Sequence, residues 1–509
     1  MQKNDYRLPD IGSLTPGNVF PREDGDRILR ARDILERTLE SFGIAGEVSG
    51  YTSGPRVTRF EITLAPGVSA RKVERIADNL ALDLAATSVR VSTPIPGRPV
   101  VGVEVSTPGG EDVPIRFVAE SEAWRNGTAE IPLAIGVDTA GEPVVIDLHR
   151  APDVLISGAA GTGKSVFIDS LIAGLLLKFR PDELKLVLID PGLVGFENYR
   201  DLPHLLAPVV SDASRAAAVF RWLSAELDRR YMLMARAHAK HIVDFNRRPT
   251  DPEPVRDAAD NEIPAQMPYI VVVINELADL MTGGFGKEIE ADIVRIAQKS
   301  KAAGIHLVVS TRRPKKNILT GAIKANLPTR FCFRMRSGAD SRLVLDADGA
   351  EKLLGRGDML FMSPYETELR RLQGAYVPER DLRGIVDFVC AQAKPGFAAG
   401  SPTVGDGDAA FDAPAPAPDD DDPREREMAF FVAASKFVRD GDDDITRLAV
   451  ALILRERKAS TSFLQRRLKI GFSRAAEIID ELEARKLLSP PSGGGGKRDI
   501  LAATDITER

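Results

Sequence analysis

The 509-residue chain has only two cysteines, Cys332 and Cys390, with no paired spacing between them. That excludes a disulfide scaffold and a cysteine-ligated zinc site, and it suits a reducing compartment. Its five histidines are scattered, with no H-E-x-x-H pattern and no Cys/His cluster, so a resident metal centre built from them has no support. No apolar run reaches the ~18–20 residues a membrane-spanning helix needs. The opening residues, Met1-Gln-Lys-Asn-Asp-Tyr6, lack the apolar core of a secretory signal. A soluble, cytoplasmic chain is the expectation. Charge of one sign is also modest, at a formal net of −6. This does not advertise a nucleic-acid binder, although such binding depends on local basic surface rather than on the sum. The length exceeds a single core and favours about three domains.

What is present is a phosphate-binding loop. Val154-Leu-Ile-Ser157 reads as a strand, Gly158-Ala159-Ala160-Gly161-Thr162-Gly163-Lys164-Ser165 as the loop, and the run from Val166 to Phe179 as a helix. Glycines let the backbone wrap phosphates with its N–H groups, Lys164 reaches the β- and γ-phosphates, and Ser165 places a hydroxyl on Mg²⁺. The helix would aim its positive N-terminal end at the same charge. ATP with Mg²⁺ is therefore the expected cofactor, held by residues 158–166 through Val166. Such a loop needs a second apolar strand ending in an acid, to hold the metal and polarise water. Tyr269-Ile-Val-Val-Val-Ile-Asn275-Glu276 answers to it, with Glu276 as candidate general base and Asn275 at the metal-associated position. Thr311 and Arg312 end the next strand candidate and are placed to sense the γ-phosphate. Arg313, Lys315 and Lys316 fit either DNA phosphate or a solvated loop.

Around these motifs the pattern is α/β. Helical spacing over Ile28–Phe42 and Ala70–Ala86, with strand alternation at Val57–Leu64, Ser88–Val91 and Val100–Val105, describes a small N-terminal α/β module over residues 1–122. Over 123–394, strand candidates Val144–Asp147, Val154–Ser157, Leu186–Asp190, Ile270–Asn275, Ile305–Ser310 and Arg330–Phe333 alternate with helices, which predicts a RecA-like P-loop domain on a mostly parallel sheet. Residues 395–424, rich in Ala, Pro and Asp, read as a flexible linker. Over 425–509, three short helical patterns precede a Gly493–Gly496 turn, the plan of a winged helix. From Ile445 to Arg509 there are 13 Lys/Arg against 8 Asp/Glu, a basic excess that points to DNA.

The chain resembles the FtsK/SpoIIIE family of ring-forming, ATP-driven translocases of double-stranded DNA, nearly end to end. The resemblance is carried by Tyr6-Arg-Leu-Pro9, Leu14-Thr-Pro16, Gly54-Pro-Arg-Val-Thr-Arg-Phe-Glu61, Ala65-Pro-Gly-Val68, Gly141-Glu-Pro-Val-Val-Ile-Asp-Leu148 and the phosphate loop. It continues in Leu202-Pro-His-Leu-Leu206, Glu226-Leu-Asp-Arg-Arg-Tyr231, Ala303-Gly-Ile-His306, Gly349-Ala-Glu-Lys-Leu-Leu-Gly355 and Gly357-Asp-Met-Leu360. Ala459-Ser460, Leu464-Gln-Arg-Arg-Leu468, Ile470-Gly471 and Arg474-Ala-Ala476 resemble the family's winged helix. The resemblance implies a homohexamer around duplex DNA, acting in chromosome segregation and cell division. It also implies hydrolysis at subunit interfaces and a winged helix that orients the ring through Arg466, Arg467, Ser473 and Arg474. The partners it suggests are a site-specific recombinase or divisome proteins. Phosphate contacts in the ring would be sequence-independent, and the winged helix would read bases.

The departures from the family pattern cluster at the chemistry. Asn275 replaces the metal-associated aspartate, Arg312 the glutamine of Thr-Gln-Arg-Pro, and Lys301 an arginine placed to act on a neighbouring subunit's nucleotide. Lysine lacks that arginine's fork of donors. Gly192 and Gly338 replace lysines, Ser473 an asparagine and Glu477 an arginine. Two readings follow. In one, a working translocase has Lys164, Glu276 and Arg312 as its catalytic residues. In the other, a degenerate ring or DNA-binding scaffold binds nucleotide with weak or no hydrolysis. A conjugation or secretion ATPase is disfavoured by the winged helix and the N-terminal module. The family often carries membrane helices before a long linker, so this sequence corresponds either to a soluble member or to the motor part of a longer protein.

Overall fold

A computed structural model describes residues 6–397, apart from 18–24, 94–97, 108–109, 152, 193–194, 250–262, 283 and 367. Towards the C-terminus it describes 446, 449–450, 453, 460–461, 464–465, 471–484 and 487–489. The chain divides into two units, 1–411 and 412–509.

The first unit contains two hydrophobic cores. One lies under a four-stranded antiparallel sheet of order β1-β2-β4-β3, made of β1 (Gly46–Ser53), β2 (Val57–Leu64), β3 (Val89–Ser92) and β4 (Val101–Ser106). The helix Gly25–Ser41 presents Ile28, Leu35 and Leu39 on one stripe, and these meet Phe60, Ile62 and Val103 of the sheet. The continuous helix expected over 70–86 is two helices, Arg71–Arg75 and Ala77–Asp83. Ile76 between them leaves the α region (φ −99°, ψ 9°) while its side chain stays in the core with Val73 and Leu80. Strand β1 was not expected, because Gly46-Glu-Val-Ser-Gly-Tyr-Thr-Ser53 has little apolar alternation. It is an edge strand held by its ladder to β2.

The second core holds Leu14, Val113, Ile115 and Val118 together with the apolar interior of residues 124–389. Its sheet is built from β5 (Val113–Pro114), β6 (Pro132–Asp138), β7 (Pro143–Asp147), β8 (Val154–Ser157), β9 (Leu184–Ile189), β10 (Tyr269–Ile274), β11 (Ile305–Thr311), β12 (Thr329–Phe333), β13 (Asp358–Met362) and β14 (Arg370–Tyr376). The order is β7-β6-β14-β13-β12-β8-β11-β10-β9, with β5 on β14. The mostly parallel sheet expected from sequence needs correction. Strands β9, β10, β11, β8 and β12 pair in parallel, but β12-β13-β14-β6-β7 continue antiparallel. The parallel strands are legible because they are buried on both faces and read as unbroken apolar runs, as in Tyr269-Ile-Val-Val-Val-Ile274. Strands β13 and β14 carry Asp358, Arg371 and Gln373, whose burial is polar and masks the pattern.

The two sheets are locked by a buried ion cluster. Arg371 on β14 donates through Nη1 to Glu104 on β4 at 3.0 Å, and through Nε and Nη2 to Asp358 on β13 at 2.9 and 2.7 Å. Burial alone would raise the Glu104 carboxyl, but Arg90 and Arg371 hold it below its ordinary value.

The helix Lys164–Lys178 is apolar nearly all round and buried along most of its length. It packs against β6, β14 and the helix Glu379–Gln392. It thereby holds the loop before it rigidly at the C-terminal edge of β8, where the ends of β9, β10 and β11 also lie. In the second unit the helix Phe472–Ala484 buries Ala475, Ile478, Ile479 and Leu482 at helical spacing. The linker from residue 398 and the Gly493–Gly496 turn lie outside the described residues.

Candidate nucleotide site

The loop between β8 and the helix Lys164–Lys178 is shaped by two glycines at positive φ, Gly161 (75°) and Gly163 (104°), a conformation that side chains resist. At Gly163 the restriction is double, since a Cβ there would lie 2.4 Å from the backbone nitrogen of Gly357. That nitrogen donates to the Thr162 carbonyl at 2.9 Å, so the Gly355–Gly357 loop braces the phosphate loop from outside. Ala159 N donates to the Arg334 carbonyl, and Thr162 Oγ1 to the Ala159 carbonyl at 2.7 Å. The resulting cradle opens onto a cavity of about 420 Å³ whose walls include Ala160, Ser165, Val166, Arg312, Arg356 and Gln373.

Lys164 is 4 % exposed. Its Nζ donates to Ser310 Oγ at 2.9 Å and to the Asn275 carbonyl at 3.2 Å. Burial pushes its pKa down to about 8, opposed by the charges of Glu276 and Asp190 and aided by Arg312. No carboxylate touches it in these hydrogen bonds, so an incoming phosphate is a partner that would further favour its charged form.

Glu276 is buried at the tip of β10 and is fully engaged. Its Oε1 accepts from Thr311 Oγ1 at 2.7 Å, its Oε2 accepts from Arg312 N at 3.0 Å and Arg312 Nε at 2.9 Å, and it caps the helix Leu277–Met281. The candidate base and the candidate phosphate sensor are thus an ion pair, with the Arg312 side chain half exposed. Asn275 donates from Nδ2 to Asp190 Oδ1 at 2.9 Å. The fold brings Lys164, Ser165, Asn275, Glu276, Thr311 and Arg312 close to one another.

Ser165, Asn275 and Asp190 all offer oxygen, the donor type that Mg²⁺ takes, and Mg²⁺ keeps several waters and nucleotide oxygens as its other ligands. Among the described residues no group of three or more His, Cys, Asp or Glu could hold a metal ion.

Other expected residues lie apart. Lys301, in the last turn of the helix Gly286–Ala303, is exposed beside the Ile305 end of β11, whereas the phosphate loop flanks the Thr311 end. The six residue-to-residue steps from Ile305 to Thr311 separate the two ends by about 20 Å, so Lys301 does not serve its own chain's cavity. Arg313 and Lys315 line a second, cationic cavity of about 440 Å³ together with Arg336, and it shares Ala159, Ala160 and Arg312 with the first. Arg466 and Arg467 lie outside the described residues. Ser473 is exposed at the start of the helix Phe472–Ala484, and Arg474 pairs with Glu477 at 2.9 Å on that helix. Glu477 therefore has a cation beside it.

Sequence reasoning missed Asp190, Ser310, Arg356 and Asp112. Asp190 was within reach, because it ends an apolar strand just as Glu276 follows one. Arg356 and Asp112 had no local signal. They pair at 2.9 Å across 244 residues at the cavity wall, and Asp112 also takes Arg56 of the N-terminal segment.

Residues 114–316 match the model of the FtsK/SpoIIIE family, residues 8–107 that of the FtsK alpha domain, and residues 440–503 that of the FtsK gamma domain. The chain is 36 % identical over 505 residues to the DNA translocase SftA of Bacillus subtilis (strain 168), covering 99 % of this chain and 49 % of that protein. It is 40 % identical over 469 residues to the DNA translocase FtsK of Treponema pallidum (strain Nichols), covering 92 % and 54 %. It is 40 % identical over 503 residues to the DNA translocase FtsK of Helicobacter pylori (strain J99), covering 98 % and 55 %. The chain spans about half the length of these curated relatives.

Proposed function

Because this chain belongs to the FtsK/SpoIIIE family, we propose that it is an ATP-driven translocase of double-stranded DNA, acting as a homohexameric ring in chromosome segregation and cell division. The observation that carries the reading is one glycine-shaped cavity lined by Lys164 and Arg312, with the buried Glu276 held against Arg312.

ATP enters that cavity with its phosphates against the backbone N–H groups of residues 158–166. Lys164 exchanges its neutral acceptors, Ser310 Oγ and the Asn275 carbonyl, for phosphate oxygens, and the anion favours its charged form. Ser165 and Asn275, just past the end of β10, would hold Mg²⁺, which would neutralise charge on the phosphate oxygens. Arg312 turns from Glu276 to the γ-phosphate. That frees one acceptor position on Glu276 Oε2 to orient water and take its proton, while Thr311 Oγ1 on Oε1 and the Arg312 backbone N–H on Oε2 keep the carboxylate in place. Lys301, at the far end of the sheet, reaches the nucleotide of a neighbouring subunit. The winged helix touches DNA through Arg466, Arg467, Ser473 and Arg474 and sets the direction of loading. A recombinase or divisome proteins are its proposed partners, and the cytoplasm its proposed location. Among the described residues no helix is long and apolar enough to cross a membrane.

One observation favours the second reading, a nucleotide-binding DNA scaffold: Glu276 is held by Arg312 and Asn275 lacks charge. Steady-state ATP hydrolysis with and without long duplex DNA separates the two. Turnover stimulated by DNA and abolished in Lys164→Ala is the expected result. A silent parent whose activity appears in Asn275→Asp would establish the scaffold instead.

A further inference from the structure

Resting on the nucleotide-site reading above, we propose that Asp190 is the positioning carboxylate of the Mg²⁺ site, acting through the Asn275 amide. P-loop enzymes hold this metal between the loop hydroxyl and an acid at the end of a neighbouring strand. Here strand β10 ends in a neutral amide, and the next residue, Glu276, has both oxygens committed to Thr311 and Arg312. The negative charge at this tip comes from one strand over. Strands β9 and β10 run parallel with Ile189 opposite Ile274, so the residues that follow them, Asp190 and Asn275, stand side by side.

Their contact is built rather than incidental. Asp190 is 2 % exposed. One of its oxygens accepts from Asn275 Nδ2 at 2.9 Å and the other from the Gly195 backbone N–H at 2.6 Å. The loop closes over the pair so tightly that a Cβ on Gly195 would lie 2.4 Å from Asn275 Nδ2. A carboxylate that accepts from an amide N–H polarises the amide and pushes electron density onto its oxygen. Asn275 Oδ1 thereby gains acceptor strength towards a metal ion or its bound water without carrying a charge of its own.

The test measures two affinities of the full-length chain: that of a non-hydrolysable ATP analogue in EDTA, and that of Mn²⁺ for the analogue-bound chain by electron paramagnetic resonance. Loss of an outer partner costs about 10–100-fold in metal affinity. Asp190→Asn is expected to weaken Mn²⁺ by that factor and leave the metal-free nucleotide affinity unchanged. Asp190→Asn combined with Asn275→Asp, which moves the charge one strand across, is expected to restore Mn²⁺ binding. Unchanged Mn²⁺ affinity in Asp190→Asn overturns the inference while leaving the nucleotide site standing, and so does a loss that the double variant fails to repair, which marks a structural role. A parent chain that binds no analogue even in EDTA overturns the nucleotide-site reading itself, and the inference with it.

Discussion

Replacing Arg371 by Met tests whether the ion cluster between the two sheets is the seam of the first unit. The Arg371, Asp358 and Glu104 side chains are 3, 4 and 5 % exposed, so water screens them little. Removing the arginine leaves two buried carboxylates. Glu104 retains Arg90 at 3.3 Å, and Asp358 retains only the Leu354 backbone N–H at 2.7 Å. Breaking a buried pair from one side costs about 3–5 kcal/mol, because the abandoned charge has no solvent, whereas removing every charge in such a cluster is far cheaper. Arg371→Met is therefore expected to cost about 4 kcal/mol, and the triple variant Arg371→Met, Glu104→Gln, Asp358→Asn to recover more than half of that. Urea denaturation should be followed by two signals. Tryptophan fluorescence reports only the second core, since Trp124 and Trp222 both pack there, and far-ultraviolet circular dichroism reports both. In the parent the two transitions should coincide; in Arg371→Met the first core should melt earlier. A single-variant cost below about 1 kcal/mol, or a triple variant no more stable than Arg371→Met, would refute the reasoning.

Three further outcomes are expected. Burial raises the Asp153 carboxyl to about 7, against hydrogen bonds from Ser300 Oγ and Leu307 N. The protonated folded form is thus favoured at low pH, and stability is lost as pH rises from about 4 through about 7. Asp153→Asn, which does not titrate, should gain on the parent by on the order of 4 kcal/mol across that window, and parallel denaturation curves at pH 4.5 and pH 8 would check it. Gly163→Ala places a Cβ against the Gly357 backbone at φ 104°, so nucleotide titration should show at least a tenfold weaker affinity, with about 1–3 kcal/mol lost from the fold. Arg312→Gln should lower stability by only about 1–3 kcal/mol, because Glu276, whose side chain is 3 % exposed, loses its cation but keeps Thr311 Oγ1 and the backbone N–H of residue 312. It should, however, lower kcat about tenfold or more if its charge serves the γ-phosphate. Faster turnover would mean that Arg312 restrains Glu276 instead.

The phosphate loop, the strand ending at Asn275 and the apolar strands around them could be read directly, because each obeys a local rule. Glycine and lysine spacing follows phosphate geometry, and strands buried on both faces are apolar without interruption. Strands β13 and β14 were not legible, since what buries them is a set of charges whose partners lie far away in sequence, as Arg371 and Glu104 do across 267 residues. The same limit applied at the site. Asn275 read alone is the loss of a charge, and only the parallel pairing of β9 with β10 puts Asp190 beside it. Arg312 read alone is a cation near phosphate, and only the end of β11 beside β10 turns it onto Glu276. Local spacing determined the family, the nucleotide chemistry and the α/β class, because backbone geometry acts over a few residues. Tertiary structure alone decided which charges meet, because a buried charge needs its partner within a few ångströms in space and at no set distance along the chain.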